Sequence, residues 1–584
     1  MSARADSGLE LTMAETQTER APSGIARIIP ILDWLPRYDR TWFRADLVAG
    51  IAVAALVVPK SLGYAGIANV PIQHGLYAAA AGAILYAIFG TAKQIATGPS
   101  SALAAVAGSA VVVSGLGDED AVALVAAITL LTGLLFLLLA IFRMGWVSQF
   151  LSKAVITGFL FGAAIEVVVG ELPKLTGTSI EGSNSWQKLW SWLGTLDEID
   201  GETLLLGLVS LVLIIGIRFS KSKVPGALVL VVGGLIASAV FGFEERGIAV
   251  VGDVPRGFAP PALPDLSFVV DNISSIGPAA LGLLLIGFSQ TAGDAREFAS
   301  RHRYRVDINQ ESVAQGMANV GSGLLQGIPV STSLSASSLN DESGAKSSVA
   351  SLVTGIIIVL ALLILAPLFS VLPNAVLAAI IIDAVVFGMM NVTEMKRLHR
   401  VARVDFWIAI AAILGVLAAG VLAGVIIGVV LSVTWLVYVA ATPHIEILGQ
   451  KPGTRVFRSV DEYPDTKTYA NLLVVRVDAS LHFVSSEGLE DQVRASAEQA
   501  GPDLETIVLD FAGVNYIDSQ GSATMAEILE LAGAYDLEVR LVRVQPAVLE
   551  VLRSDGVIET LGEDHVFGNV YTAVEDKLPD DARA

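Results

Sequence analysis

The chain has 584 residues, 53% of them hydrophobic and only 16% charged, with a formal net charge of −20. Such acidity argues against nucleic-acid binding, and the lack of cysteine excludes disulfides and thiolate chemistry. The six histidines are scattered without metal-ligand spacing, so neither a metal nor another cofactor is expected.

Residues 1–40 open the chain. The first 24 are polar and mixed in charge with no apolar h-region, which reads as a disordered cytoplasmic tail and not a signal peptide. Residues 41–442 are different. Apolar runs of about 20 residues recur there, each long enough to cross a hydrocarbon layer of about 30 Å. We place spans near 47–68, 71–90, 97–113, 120–142, 148–171, 203–219, 226–243, 276–299, 306–324, 331–343, 347–366, 370–391, 404–420 and 421–442. The fold class is therefore a polytopic α-helical membrane protein of fourteen spans.

Loop charges set its orientation. The segments around Arg37–Arg44, Lys93, Arg143–Lys153, Arg218–Lys223, Arg296–Arg305, Lys346 and Lys396–Arg403 collect most of the basic residues. The opposite loops hold acidic stretches such as "GDED" (117–120) and "FEER" (243–246), with few lysines or arginines. Both termini are thus expected in the cytoplasm, at the inner or plasma membrane. "SNSWQKLWSWL" (183–193) reads as an amphipathic helix lying in the outer interface.

Two polar segments interrupt the apolar pattern. "KQIATGPSSALAAV" (93–106) and "QGIPVSTSLSASSLND" (326–341) each run from a Gln through a short extended stretch and a Pro into a helix of small residues. They lie one repeat of seven spans apart. Because seven is odd, the second copy is inverted, and inverted repeats are a transporter signature. Pro99 and Pro329 precede the helical parts, as suits helix starts. Two half-helices are expected to meet N-terminus to N-terminus at mid-membrane, where free N–H groups and the positive dipole end favour an anion. Gly98, Pro99, Ser100, Ser101, Ser331, Thr332, Ser333, Leu334 and Ser335 are the candidate binding residues. The alternative for the hydroxyls is close helix packing, and for Thr332, Ser337 and Ser338 packing or capping is the preferred reading.

These motifs carry a family resemblance. "VPIQHGLYAAAAGAILYAIFGTAKQIATGPSSA" (70–102) and "NVGSGLLQGIPVSTSLSASSLN" (319–340) resemble signatures of the SulP, or sulfate permease, anion transporters. "LVVRVDASLHFVSSEGL" and "TIVLDFAGVNYIDSQGSATM" resemble a STAS domain, spanning 443–584 in this chain. The resemblance implies a seven-plus-seven inverted repeat divided into core and gate, usually a homodimer. It also implies a small inorganic or organic anion as substrate, carried by an elevator-like motion, and no enzymatic activity.

Three departures matter. Where the family often has Gln after the Pro of the first span, this chain has Lys60; where many members have Arg in the tenth span, it has Ala336. Lys60 lies roughly 20 Å along its span at 1.5 Å per residue, too deep to snorkel out easily. We read it as the cation facing the anion, the alternative being an ion pair with Glu166, Glu171 or Asp294. Gln290 occupies the position where related proteins often carry a coupling carboxylate, and Asp294 follows one turn later. Asp294, Glu166 and Glu171 are the candidates for proton coupling; uncoupled exchange stays open, and sodium use is in doubt. Tyr64, Phe288 and Gln73 are further cavity candidates, and Asp383 reads as a gate or interface residue.

The soluble region alternates strand-like runs at 472–477, 506–511 and 538–544 with helix-like runs near 487–500, 521–535 and 546–554. Ser519 in "DSQG" stands at a strand-to-helix turn. STAS proteins of sporulation signalling are phosphorylated on such a serine, making Ser519 a regulatory candidate, though helix capping by Asp518 and Ser519 is the preferred reading. Two other functions compete. A membrane-anchored signalling receptor would not need two polar half-helices at matching repeat positions. A nucleobase carrier on the same architecture would use carboxylates where this site offers hydroxyls and a lysine.

Overall fold

The computed structural model describes residues 24–144, 152–182, 184–220 and 224–583. Two compact units divide at Val430/Leu431. Most of the sequence-placed N-terminal tail lies outside the described residues. From residue 24 onward the chain carries two short helical turns, Ile25–Ile28 and Ile31–Trp34.

Among the described residues, the membrane unit is helical apart from two three-residue strands. The first repeat comprises α1 (Phe43–Ile67), α2 (Gln73–Phe89), a strand β1 (Thr97–Pro99), α3 (Ser101–Ser114), α4 (Asp118–Ile141), α5 (Lys153–Thr176), the interfacial α6 (Ser185–Leu193), α7 (Gly201–Phe219) and α8 (Gly226–Phe241). The second comprises α9 (Ile273–His302), α10 (Ile308–Leu324), β2 (Val330–Thr332), α11 (Leu334–Glu342), α12 (Val349–Leu360), α13 (Asn374–Met389), the surface helix α14 (Val392–Val401), α15 (Arg403–Ala419) and α16 (Val421–Ala441). Leaving out α6 and α14, the two halves match span for span.

Packing reveals the pseudo-twofold relation. α2 packs on α12 as α10 packs on α4; α1 touches α11 as α9 touches α3; α5 meets α15 as α13 meets α7. Each pair exchanges the repeats. One helix group gathers α1–α4 with α9–α12, and the other gathers α5, α7 and α8 with α13 and α15. Glycines set the closest approaches: a Cβ on Gly75 of α2 would fall 1.9 Å from the Ser61 carbonyl of α1.

Two span boundaries shift from the sequence reading. α12 continues through a π turn (Ala361–Leu365) and a 3-10 turn to Val371, past the break placed near residue 366. Pro367 falls in the first turn of the 3-10 segment, where its missing N–H costs no bond. α5 runs on to Thr176, beyond the expected end at 171, and stops where Gly177 takes φ 71°. The expected start of that span, 148–152, lies largely outside the described residues.

The C-terminal unit carries a six-stranded sheet ordered β4-β3-β5-β6-β7-β8. Its strands are β3 (Ile445–Gln450), β4 (Phe457–Ser459), β5 (Leu472–Val477), β6 (Thr506–Asp510), β7 (Glu538–Val542) and β8 (Val566–Phe567). β5 to β8 are parallel and β3 is antiparallel to β5. α17 (Ser486–Ala500), α18 (Ser519–Ala534) and α19 (Pro546–Ser554) follow β5, β6 and β7. The central strands are buried on both faces, as parallel strands must be.

Candidate functional site

The two polar segments cross at β1 and β2, which pair antiparallel with Thr97 opposite Thr332, Gly98 opposite Ser331 and Pro99 opposite Val330. Ser333 N–H donates to the Ala96 carbonyl at 3.0 Å, continuing the ladder by one pair. α3 and α11 start directly after the strands, so their first turns face the crossing from opposite ends. Ser333 caps α11, accepting from Ala336 N at 3.4 Å; Ser100 occupies the N-cap position of α3 without a capping bond from its side chain.

A small cavity of about 20 Å3 opens here. Among its lining residues are Lys60, Tyr64, Thr97, Gly98, Pro99, Ser333 and Ala336. Lys60, from α1, donates to Ser335 Oγ at 3.1 Å in the first turn of α11. Ser333 and Ser335 hydroxyls lie 3.4 Å apart. Among the described residues, Lys60 has no carboxylate within ion-pair distance. The acids considered as its partners are engaged elsewhere or lie apart: Glu171 pairs with Lys174 at 2.8 Å, and Asp294 accepts from Thr332 Oγ1 at 2.7 Å. Glu166 lies on α5 with one carboxylate oxygen buried and unbonded.

Several candidates sit behind the cavity and do not line it. Ser331 is fully buried and donates to Gln290 Oε1 at 2.7 Å; Thr332 is equally buried against Asp294. Phe288 belongs to the core instead, its ring tilted against Phe136 with centroids 6.4 Å apart. Ser100, Ser101 and Leu334 are not among the lining residues, nor is Gln73, at the start of α2. The loop reading of Arg218 gives way to a different role: it ends α7 and clamps Asp383 of α13 through two bonds of 2.7 and 2.5 Å. Both oxygens of the carboxylate are occupied, a geometry that guanidinium fits well.

Sequence reasoning placed α10 as the span 306–324 but passed over its polar face. Glu311, Gln315 and Asn319 recur at every fourth residue, are fully buried, and reach the segments around β1 and β2. Three polar residues at helical spacing inside an apolar span were the available signal. In the soluble unit, Asp518 caps α18 by accepting from Gln520 N at 3.0 Å and Gly521 N at 2.9 Å. These bonds to backbone N–H groups hold its carboxyl below the usual carboxylate range. Ser519 stands exposed in the first turn of that helix.

Comparison with known proteins agrees with this architecture. Residues 43–412 match the sulfate permease family and residues 463–576 match the STAS domain. A probable sulfate transporter of Mycobacterium tuberculosis is 30% identical over 539 residues, covering 92% of this chain and 96% of that protein. The probable sulfate transporter 4.2 of Arabidopsis thaliana is also 30% identical, covering 94% of this chain and 84% of that protein. The solved murine solute carrier 26 family member A9, an anion transporter in an inward-facing state, superposes with a TM-score of 0.85 at 23% identity, covering 99% of each chain. The transmembrane domain of a cyanobacterial bicarbonate transporter matches with a TM-score of 0.57 at 21% identity, covering 68% of this chain and 98% of that one. A fourteen-span inverted repeat followed by a STAS domain, with family matches over most of its length, makes this chain a multi-pass membrane protein of the sulfate permease family, a transporter and not an enzyme.

Proposed function

We propose that the protein carries a small oxyanion of the sulfate class across the membrane by alternating access. The anion is held between the N-termini of α3 and α11, with Lys60 supplying the compensating charge. One observation carries this reading: Lys60 reaches the first turn of α11 inside the cavity and is left without an acidic partner among the described residues. A half-buried ammonium deep in a membrane span without a counterion is costly, and a bound anion removes that cost. Lys60 therefore replaces, from α1, the cation that Ala336 does not supply from α11. The names of the curated relatives favour sulfate, whereas the structural neighbours include a bicarbonate carrier.

Residues 41–442 form the transport domain and 443–584 the STAS domain, with both termini cytoplasmic and the protein a homodimer in the inner or plasma membrane. Transport proceeds by proton symport or by anion exchange. Asp294 is the leading proton-carrying group, since its carboxylate touches Thr332 beside the crossing. Glu166 and Glu171 are the alternatives. Ser519, exposed in the first turn of α18, is the regulatory candidate of the STAS domain: a phosphate there would meet the N-terminus of that helix, although capping is the preferred reading of the motif.

The test is uptake of radiolabelled sulfate into proteoliposomes. Unlabelled chloride, bicarbonate, nitrate and a dicarboxylate serve as competitors, with imposed proton or sodium gradients. Saturable uptake competed by oxyanions supports the proposal, and acceleration by an inward proton gradient marks symport. Trans-stimulation without gradient dependence marks exchange. Absence of saturable uptake of every anion in the panel rejects the reading.

A further inference from the structure

The stretch "NQESVAQGMANVGSGLL" (309–325) forms α10 and the turn after it, and puts Glu311, Gln315 and Asn319 on one face at spacings of four. All three are completely buried. A carboxylate and two carboxamides in such a place call for partners; apart from Gln315 Oε1, which is buried and unbonded, their polar atoms have them, and the partners are not random. Glu311 accepts from Thr91 N at 2.9 Å, from Ala92 N at 3.2 Å and from the Tyr86 hydroxyl, fixing the turn that leads to β1. Gln315 Nε2 donates to Thr97 Oγ1 of β1 at 2.9 Å. Asn319 serves β2 with both ends of its carboxamide, donating to the Val330 carbonyl at 2.9 Å and accepting from Val330 N at 3.0 Å.

The strand register explains why Asn319 is needed. Ala96 and Ser333 form a hydrogen-bonded pair. Antiparallel pairs alternate, so the Pro99–Val330 pair is of the other kind, and its backbone polar groups point out of the ladder. Pro99 has no N–H to leave unpaired there. Val330 has both groups, and in a two-stranded sheet no third strand exists to take them. Asn319 acts as that third strand. On the opposite side, Gly82 of α2 permits close approach: a Cβ there would lie 3.2 Å from Gly98 Cα and from the Thr97 carbonyl. The crossing is thus held between a rail of polar side chains and a gap kept open by glycine.

We propose that Gln315 and Asn319 are positioning residues of the anion site: they touch no substrate, but fix the lie of β1 and β2 and so the separation of the two helix N-termini. This deepens the proposed function and rests on it. The test uses the full-length protein in proteoliposomes. Gln315→Leu, Thr97→Val and their double variant form one cycle; Asn319→Asp, close in shape but without the donor, is the second probe. The KM for labelled sulfate is expected to rise at least fivefold in each single variant. The double variant is expected to be no worse than the poorer single, because both changes remove the same bond. Amide exchange across 95–102 and 328–336 is expected to accelerate at least tenfold in Asn319→Asp, with exchange elsewhere and the unfolding temperature little changed.

Unchanged KM together with unchanged local exchange in folded variants overturns the inference. So does a KM change accompanied by global loosening only, which marks a plain stability role. If the unaltered protein takes up no anion, the functional reading fails, and the exchange measurement still decides whether the rail holds the strands. Should Gln315→Leu not fold, Gln315→Met removes both polar atoms at similar length and takes its place in the cycle.

Discussion

At the scale of single residues, the proposed function turns on Lys60. Its four-carbon stem brings an ammonium from α1 to Ser335 on α11, so one side chain joins elements from the two repeats. Lys60→Gln keeps most of the reach and removes the charge. A hydrogen bond to a charged group contributes about 1.5–3 kcal/mol, and about 1.4 kcal/mol is tenfold in affinity. The KM for sulfate is therefore expected to rise by roughly 10- to 100-fold, with the unfolding temperature held or raised because an uncompensated buried charge is gone. Uptake kinetics and a thermal melt of the same preparation check this. A lowered unfolding temperature with unchanged KM would instead make Lys60 a structural cation. The cation's position was legible in the sequence as a lysine deep in an apolar span. Its freedom from carboxylates was not, because Glu166, Glu171 and Asp294 all lay within the range that sequence separation allows. Only the folded chain shows Lys174 and Thr332 occupying Glu171 and Asp294, and Glu166 with a carboxylate oxygen unbonded.

At the scale of elements, the two half-helices could be read from Pro and hydroxyl residues repeated one half-chain apart. The strand pairing between them could not, since three-residue strands carry no periodicity. Gly82 shows the same limit. In the sequence it is one more small residue of an Ala-rich helix; in the fold it is the point where α2 meets Gly98. Gly82→Val is expected to abolish uptake while the protein stays monodisperse in detergent, and Gly82→Ala to fall between. Transport by Gly82→Val equal to the parent's would show that β1 gives way freely. In the C-terminal unit, the three predicted strands are observed because each is a short run rich in Val, Ile and Leu. β4 and β8 escaped notice because they are edge strands two to three residues long, and β3 because its run IEILGQ is broken by Glu446, Gly449 and Gln450. Its helix start at "DSQG" was read correctly as a cap, and the bonds assign the cap to Asp518. Asp518→Ala is expected to cost about 1 kcal/mol, seen as a lower melting temperature of the isolated 443–584 domain. Because the folded carboxyl is held low, its contribution is present above the unfolded carboxylate pKa of about 3.9 and is lost as pH falls through the lower folded value. Asp518→Asn keeps an acceptor but no longer titrates, so its melting temperature should fall less steeply below pH 4 than the parent's.

At the scale of the whole molecule, the inverted repeat and the grouping of helices imply how the site is exposed to each side in turn. The half-helix crossing belongs to one group, α1–α4 with α9–α12, and the other group contributes α13, which packs along α1. A Cβ on Gly63 of α1 would lie 3.0 Å from Ile381 Cγ1 of α13, just beyond Lys60 along the helix. If transport moves the crossing past α13, this contact must slide. The absence of native cysteine makes the point testable without background. In a Gly63→Cys, Ile381→Cys variant the smaller side chain at 381 makes room for the new one at 63. A short bis-methanethiosulfonate reagent, which joins the two thiols through mixed disulfides, should stop sulfate uptake when applied to the reduced protein while leaving sulfate binding, measured by equilibrium titration, within about threefold, a change of only about 0.7 kcal/mol. Reversal of the crosslink by reductant should restore uptake. Full transport with the two groups covalently joined would mean that the anion passes a crossing that does not move against α13, and a fixed pore with local gates would replace the sliding core.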